Sequence, residues 1–116
     1  METDIDSMTA WMKALDASRR GYFLALVSHE ITVSIRILCY DSQSSVGVIE
    51  SIRALNEAHH RVAGYLIHLT SDDEDTGWLK SVAGYLATCP DAVAKRHLQH
   101  AWDHARAITE RQAHSD

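Results

Sequence analysis

Between Tyr22 and Tyr40 the apolar positions Phe23, Leu26, Val27, Ile31, Val33, Ile37 and Leu38 fill one arc when plotted at about 100° per residue, and they do not alternate. The β-branched residues of this stretch, Ile31, Thr32, Val33, Ile35 and Ile37, would also suit a strand. The periodicity decides for a helix over 22–40, with an apolar arc of about 200°. Glu30 and Ser34 point into the centre of that arc. A carboxylate aimed at a core must be paired, protonated or bound to something.

A second long helix is predicted over 46–69. Its stripe Val48, Ile52, Leu55, His59, Val62, Leu66, Leu69 keeps a 4-3-4-3 spacing, the seam of a packed helix pair. Beside it runs Ile49, Arg53, Asn56, His60, Ala63, Ile67. Both stripes are apolar at their ends and polar in the middle. The polar turn 41–45 between the two helices ends on a capping serine, Ser45. Upstream, Ser7 is expected to cap a helix running to about Arg20, broken or bent at Gly21. Downstream, the acidic run 71–75 favours a helix start, and a helix follows over about 76–88. Pro90 stops it and opens a last helix to about Gln112, with 113–116 frayed.

The predicted fold class is therefore all-α: an antiparallel bundle of four to five helices built on the 22–40/46–69 hairpin. The short turn makes that hairpin antiparallel. Folding it about Gln43 sets Glu30 level with Asn56, Val27 level with His59, and Arg36 level with Glu50. The polar middle of the second helix is thus expected to meet the lone carboxylate of the first.

Composition narrows the class without naming a function. The 116 residues suit one domain, 1–116, with a single core, and 46% apolar content argues against disorder. One proline and five glycines leave little punctuation between helices. The net charge of −5 and scattered basic residues argue against a nucleic-acid partner. Glu30 and Arg36 interrupt the best apolar run, and the acidic start Met1-Glu2-Thr3-Asp4 is unlike a signal peptide, so neither a membrane span nor export is expected. Cys39 and Cys89 have neither metal-motif nor disulfide-framework spacing, and the cytoplasm is the expected compartment.

Two readings of the polar centre follow. In one, Glu30 accepts hydrogen bonds from His59, Asn56 or Arg53 and fixes helix register, with His60 beside them in the polar centre. In the other, the centre is a metal or small-ligand site. Glu57-Ala58-His59-His60 contains the Glu-x-x-His spacing of di-iron bundles, and a homodimer would supply two copies together with two Glu30 residues. Glu57, however, sits about 130° from the centre of its helix's apolar face and should point outward. The last helix carries His97, His100 and His104, whose i,i+4 pair His100/His104 could also hold iron or zinc. These histidines flank the line Ala94, Ala101, Ala105, Ile108 and also read as ordinary half-exposed side chains. No glycine loop that could cradle a phosphate and no strand-to-helix nucleophile setting occurs. Trp11, Trp78 and Trp102 read as packing or subunit-interface residues.

The segment Phe23-Leu24-Ala25-Leu26-Val27-Ser28-His29-Glu30-Ile31 resembles the phospho-acceptor box of sensor histidine kinases, a likeness that implies phosphotransfer through His29. More broadly, His29-Glu30-Ile31-Thr32-Val33, Arg36 and Tyr40, with Arg53-Ala54-Leu55-Asn56-Glu57, His60 and Arg61, resemble small uncharacterised bacterial all-helical proteins. That likeness implies a fold and no activity. The leading expectation is a non-enzymatic interaction module without a cofactor, forming a homodimer or meeting a protein partner. It rests on an apolar arc wider than one neighbouring helix covers. The alternative is a metal- or ligand-binding bundle using Glu30, His59 and His60.

Overall fold

A computed structural model describes residues 4–41, 46–67 and 75–115. Its elements are α1 (Ile5–Ala14), α2 (Ala17–Asp41), α3 (Val46–Ile67), α4 (Asp75–Thr88) and α5 (Ala92–Ser115). The chain is all-α, and no strand occurs among the described residues. Turn residues 42–45, Leu69, acidic residues 71–74 and Asp116 lie outside the described residues.

Aspartates start three of the helices. Asp4 Oδ1 accepts from Ser7 N at 2.6 Å, Asp16 Oδ1 from Arg19 N at 2.8 Å, and Asp91 Oδ2 from Ala94 N at 2.9 Å. Each satisfies one of the donors that a helix start leaves free. The expected cap at Ser7 and break at Gly21 are both corrected here. Ser7 is the donor to the true cap, and the break falls at Leu15–Asp16. Gly21 lies within α2 because the Asp16 cap starts that helix one turn earlier. The last helix runs to Ser115, three residues beyond the expected end.

Helix directions follow from cross-helix pairs. Ser28 meets His59, so α2 and α3 are antiparallel, within one residue of the predicted register. Arg61 meets Ser81, making α3 and α4 antiparallel, and Ser34 and Glu30 meet His97 and His104, making α2 and α5 antiparallel. The four long helices therefore run up-down-up-down. α1 packs along α4, and Trp11 reaches both α2 and α5 through edge contacts with Phe23 (centroids 4.8 Å apart) and Trp102 (5.5 Å). The core holds Met8 and Met12 of α1, Phe23, Leu24, Val27 and Ile31 of α2, Leu55, Val62 and Tyr65 of α3, Leu79 and Val82 of α4, and Leu98 and Trp102 of α5. Trp102 is a packing residue; Trp11 and Trp78 are half-buried against the core.

Two stripes are rotated from expectation. In α3 the inward line is Ser51, Ala54, Leu55, Ala58, Val62 and Tyr65, while Val48, Ile52, His59 and Leu66 are only half-buried. α3 is packed on three sides by α2, α4 and α5, and small residues on the inward line permit that approach. In α2 the buried line centres on Val27 and Ile31, while Leu26 and Val33 are half-buried and Ile37 is exposed. By length and composition α2 is apolar enough over Ala17–Tyr40 to cross a membrane, contrary to the expectation drawn from Glu30 and Arg36. A core helix of a bundle meets the same criterion, and α2 contributes four large apolar residues to this core.

Candidate functional site

Because the buried line of α2 centres on Val27, Glu30 stands about 60° to one side of it, toward α5. Its side chain is 17% exposed and Oε1 pairs with His104 Nδ1. The expected partners on α3 are elsewhere. Arg53 is exposed and pairs with Glu50 at 3.6 Å, and the expected Arg36–Glu50 ion pair is not formed among the described residues. Asn56 and His60 are exposed, and Glu57 is exposed and pairs with Arg61 at 3.9 Å. His59 turns to the opposite flank of α2, where its Nε2 and Ser28 Oγ share a 2.9 Å hydrogen bond. The expected cluster of Glu30 with Arg53, Asn56, His59 and His60 is therefore not formed. Val33 is only half-buried and Ile37 is exposed, so the buried line of α2 lies away from them and Glu30 falls on its α5 flank instead of at its middle.

The residues brought together are Glu30, His100 and His104. One ligand atom from each lies within 4.8 Å of the others, the only described group of three such side chains that could hold a metal ion. His100 and His104 are exposed neighbours one turn apart on α5, their rings stacked with centroids 5.7 Å apart and planes 18° apart. The i,i+4 spacing aims both imidazoles the same way. Glu57 and His60, the other sequence candidates for a metal, stand apart from this group on the outer face of α3.

The group lies at one end of an open cavity of about 490 Å³ between α2 and α5, lined by Glu30, Val33, Ser34, Ile37, Arg96, His97 and His100. Ser34 is buried, and its hydroxyl shares a 2.9 Å hydrogen bond with His97 Nδ1. Burial holds the His97 imidazole below its ordinary pKa, and the charge of Arg96 and the nearness of His100 push it further the same way. His97 is therefore neutral at pH 7 and orients α5 on α2 without adding charge to the cavity. Arg96 is exposed and forms no ion pair among the described residues. No described buried side-chain polar atom lacks a partner.

Several contacts had weak sequence signals. Asp91 Oδ2 caps α5 and also accepts from Ser51 Oγ at 2.7 Å, so the start of α5 is fastened to α3. These bonds hold the Asp91 carboxyl below its ordinary pKa, the Ala94 N–H most of all. Pro90-Asp91 spelled a helix start, but nothing along the chain pointed to Ser51. Ser34 was visible as a polar residue in the arc, without its partner. His29, the phospho-acceptor position in the kinase likeness, is exposed on α2. No protein family, curated protein or solved structure matches the chain.

Proposed function

We propose that this protein is a cation-binding helical bundle that holds one first-row divalent metal ion, zinc or iron, through Glu30, His100 and His104. The observation that carries this reading is the convergence, within 4.8 Å, of one carboxylate from α2 with two imidazoles from α5. Two histidines and a carboxylate form a donor set suited to zinc or iron(II), and three protein ligands leave coordination positions open. Placing the ligands on two rigid helices fixes their spacing more tightly than loops would. Two free thiols, one of them exposed, are in keeping with a reducing compartment such as the cytoplasm.

Calorimetric titration of tag-free protein with zinc tests the reading. One ion per chain is expected. His100→Ala and His104→Ala should each weaken binding by more than the roughly 10–100-fold that outer-shell partners contribute. His60→Ala should leave it unchanged. Absence of stoichiometric binding, or an equal loss in His60→Ala, would overturn the proposal.

A second reading, homodimerisation, draws on a separate surface. Only 28% of the apolar stretch of α2 is buried within the chain. Tyr40 and Ile49, 84% and 48% exposed, lie at the same end of the α2/α3 hairpin, within about one turn of level by the Ser28–His59 register. Light scattering is expected to give twice the 13.0 kDa chain mass. A monomer at high protein concentration would count against this reading alone.

A further inference from the structure

Resting on the metal reading above, we infer that the cavity between α2 and α5 takes a short aliphatic dicarboxylate, one carboxylate on the bound ion and the other on Arg96 at the opposite end. Helix register sets the two ends. Ser34 meets His97 and Glu30 meets His104, so Arg96 stands level with Ile37, about two turns of α2 beyond Glu30. The group Glu30, His100 and His104 holds the ion at the near end. A divalent ion with Glu30 as its one anionic ligand keeps a net positive charge and open positions, which an anion can occupy. Arg96 is exposed, lines the far end and forms no ion pair among the described residues. Its planar guanidinium suits a carboxylate held by two parallel hydrogen bonds. Each end of the cavity thus presents one positive charge, and a dianion with its charges at its two ends matches both.

Between the ends the α2 wall is apolar. Val33 and Ile37 line it, and Ile37 is 45% exposed. Methylenes laid along these side chains remove them from water. The Ser34 hydroxyl and His97 Nδ1 are bonded to each other, and the neutral imidazole adds no charge to the middle of the cavity. The separation of the ends sets the ligand's length. His100 and His104 follow Arg96 by one and two turns of α5, about 6 and 12 Å, which places the ion about 9 Å from the level of Arg96. About 2 Å of this lies between ion and carboxylate, and about 3 Å between carboxylate and guanidinium, which leaves roughly 4 Å for the chain between the carboxylates. About two to four methylenes span it, the upper figure where the Arg96 side chain leans toward the start of its helix. A monocarboxylate satisfies one end only, and inorganic phosphate is too short to touch both.

Cobalt(II) serves as a coloured substitute for the native ion. The full chain, loaded with cobalt, is titrated with glutarate, pentanoate, malonate and phosphate, following the visible spectrum and the heat of binding. Glutarate is expected to change the cobalt spectrum and to bind about tenfold or more tightly than pentanoate, which has the same number of carbons and lacks the second carboxylate. Arg96→Ala is expected to erase that margin, while pentanoate binds as to the wild type and cobalt affinity does not fall. Malonate, whose carboxylates can both close on the ion, should be indifferent to Arg96→Ala. The dicarboxylate inference is wrong and the metal site stands if cobalt binds but pentanoate binds as tightly as glutarate, if Arg96→Ala keeps the margin, if malonate loses as much as glutarate in that variant, or if phosphate binds more tightly than glutarate. If cobalt does not bind at all, the metal reading fails and this inference with it.

Discussion

Trp102→Ala is expected to destabilise the protein by about 3–5 kcal/mol, the range for deleting a large aromatic from a packed core. Trp102 is 1% exposed, and its ring meets Phe23 edge-on at 5.0 Å and Trp11 at 5.5 Å, joining α5 to α2 and α1. Such edge contacts add to simple burial. Trp102 also bears on the site. It lies about 160–200° around α5 from His100 and His104, so anchoring it inward turns both imidazoles toward the outer edge where Glu30 stands. Trp102→Phe keeps much of the volume and should cost less. Urea denaturation of the three proteins checks this; a loss below about 1 kcal/mol for Trp102→Ala would mean that the aromatic cluster is not the bundle's centre.

Arg20→Ala is expected to be the second most damaging single change described here, at about 2–3 kcal/mol. The Arg20 guanidinium closes the C-terminal end of α1, donating to Met12 O at 3.0 Å, Lys13 O at 3.1 Å and Leu15 O at 2.8 Å. It also reaches Tyr65 Oη of α3 at 3.4 Å. These carbonyls belong to the last turn of α1 and its C-cap, where intrahelical donors run out; Met12 O also accepts the Leu15 N–H at 3.2 Å. A positive charge there also suits the helix dipole. Arg20→Lys should recover only part of the loss, because one ammonium cannot span three carbonyls in a fixed fork. Hydrogen exchange gives the local reading: the amides of α1 should lose protection before those of α3. Equal midpoints for wild type and Arg20→Ala would show that this contact does not hold the α1–α2 corner.

Much of the helical plan was legible along the chain, because periodicity is a local signal. The α2/α3 register was within one residue, since a short turn and two apolar stripes leave few ways to pair. The α1–α2 break lies at Leu15–Asp16 and not at Gly21, because a cap determines where a helix begins more firmly than an interior glycine determines where it ends. Arg20 carried no signal, as its partners are backbone carbonyls that every residue possesses.

The site was half legible. Glu30 stood out as a carboxylate on an apolar helix, and His100/His104 stood out by spacing. Their meeting did not, because the α2–α5 pairing joins residues 74 apart in sequence and no turn fixes that register. His59 and His60 are nearer along the chain, on the adjacent helix, but His59 bonds Ser28.

X-ray absorption at the zinc edge tests the central claim most directly, because it counts the ligands around the ion. Zinc-loaded wild type should show two imidazole nitrogens at about 2.0–2.1 Å and a carboxylate oxygen at about 2.0–2.2 Å, with one imidazole lost in His104→Ala. A shell without imidazole, or one that keeps both imidazoles in His104→Ala, would contradict it.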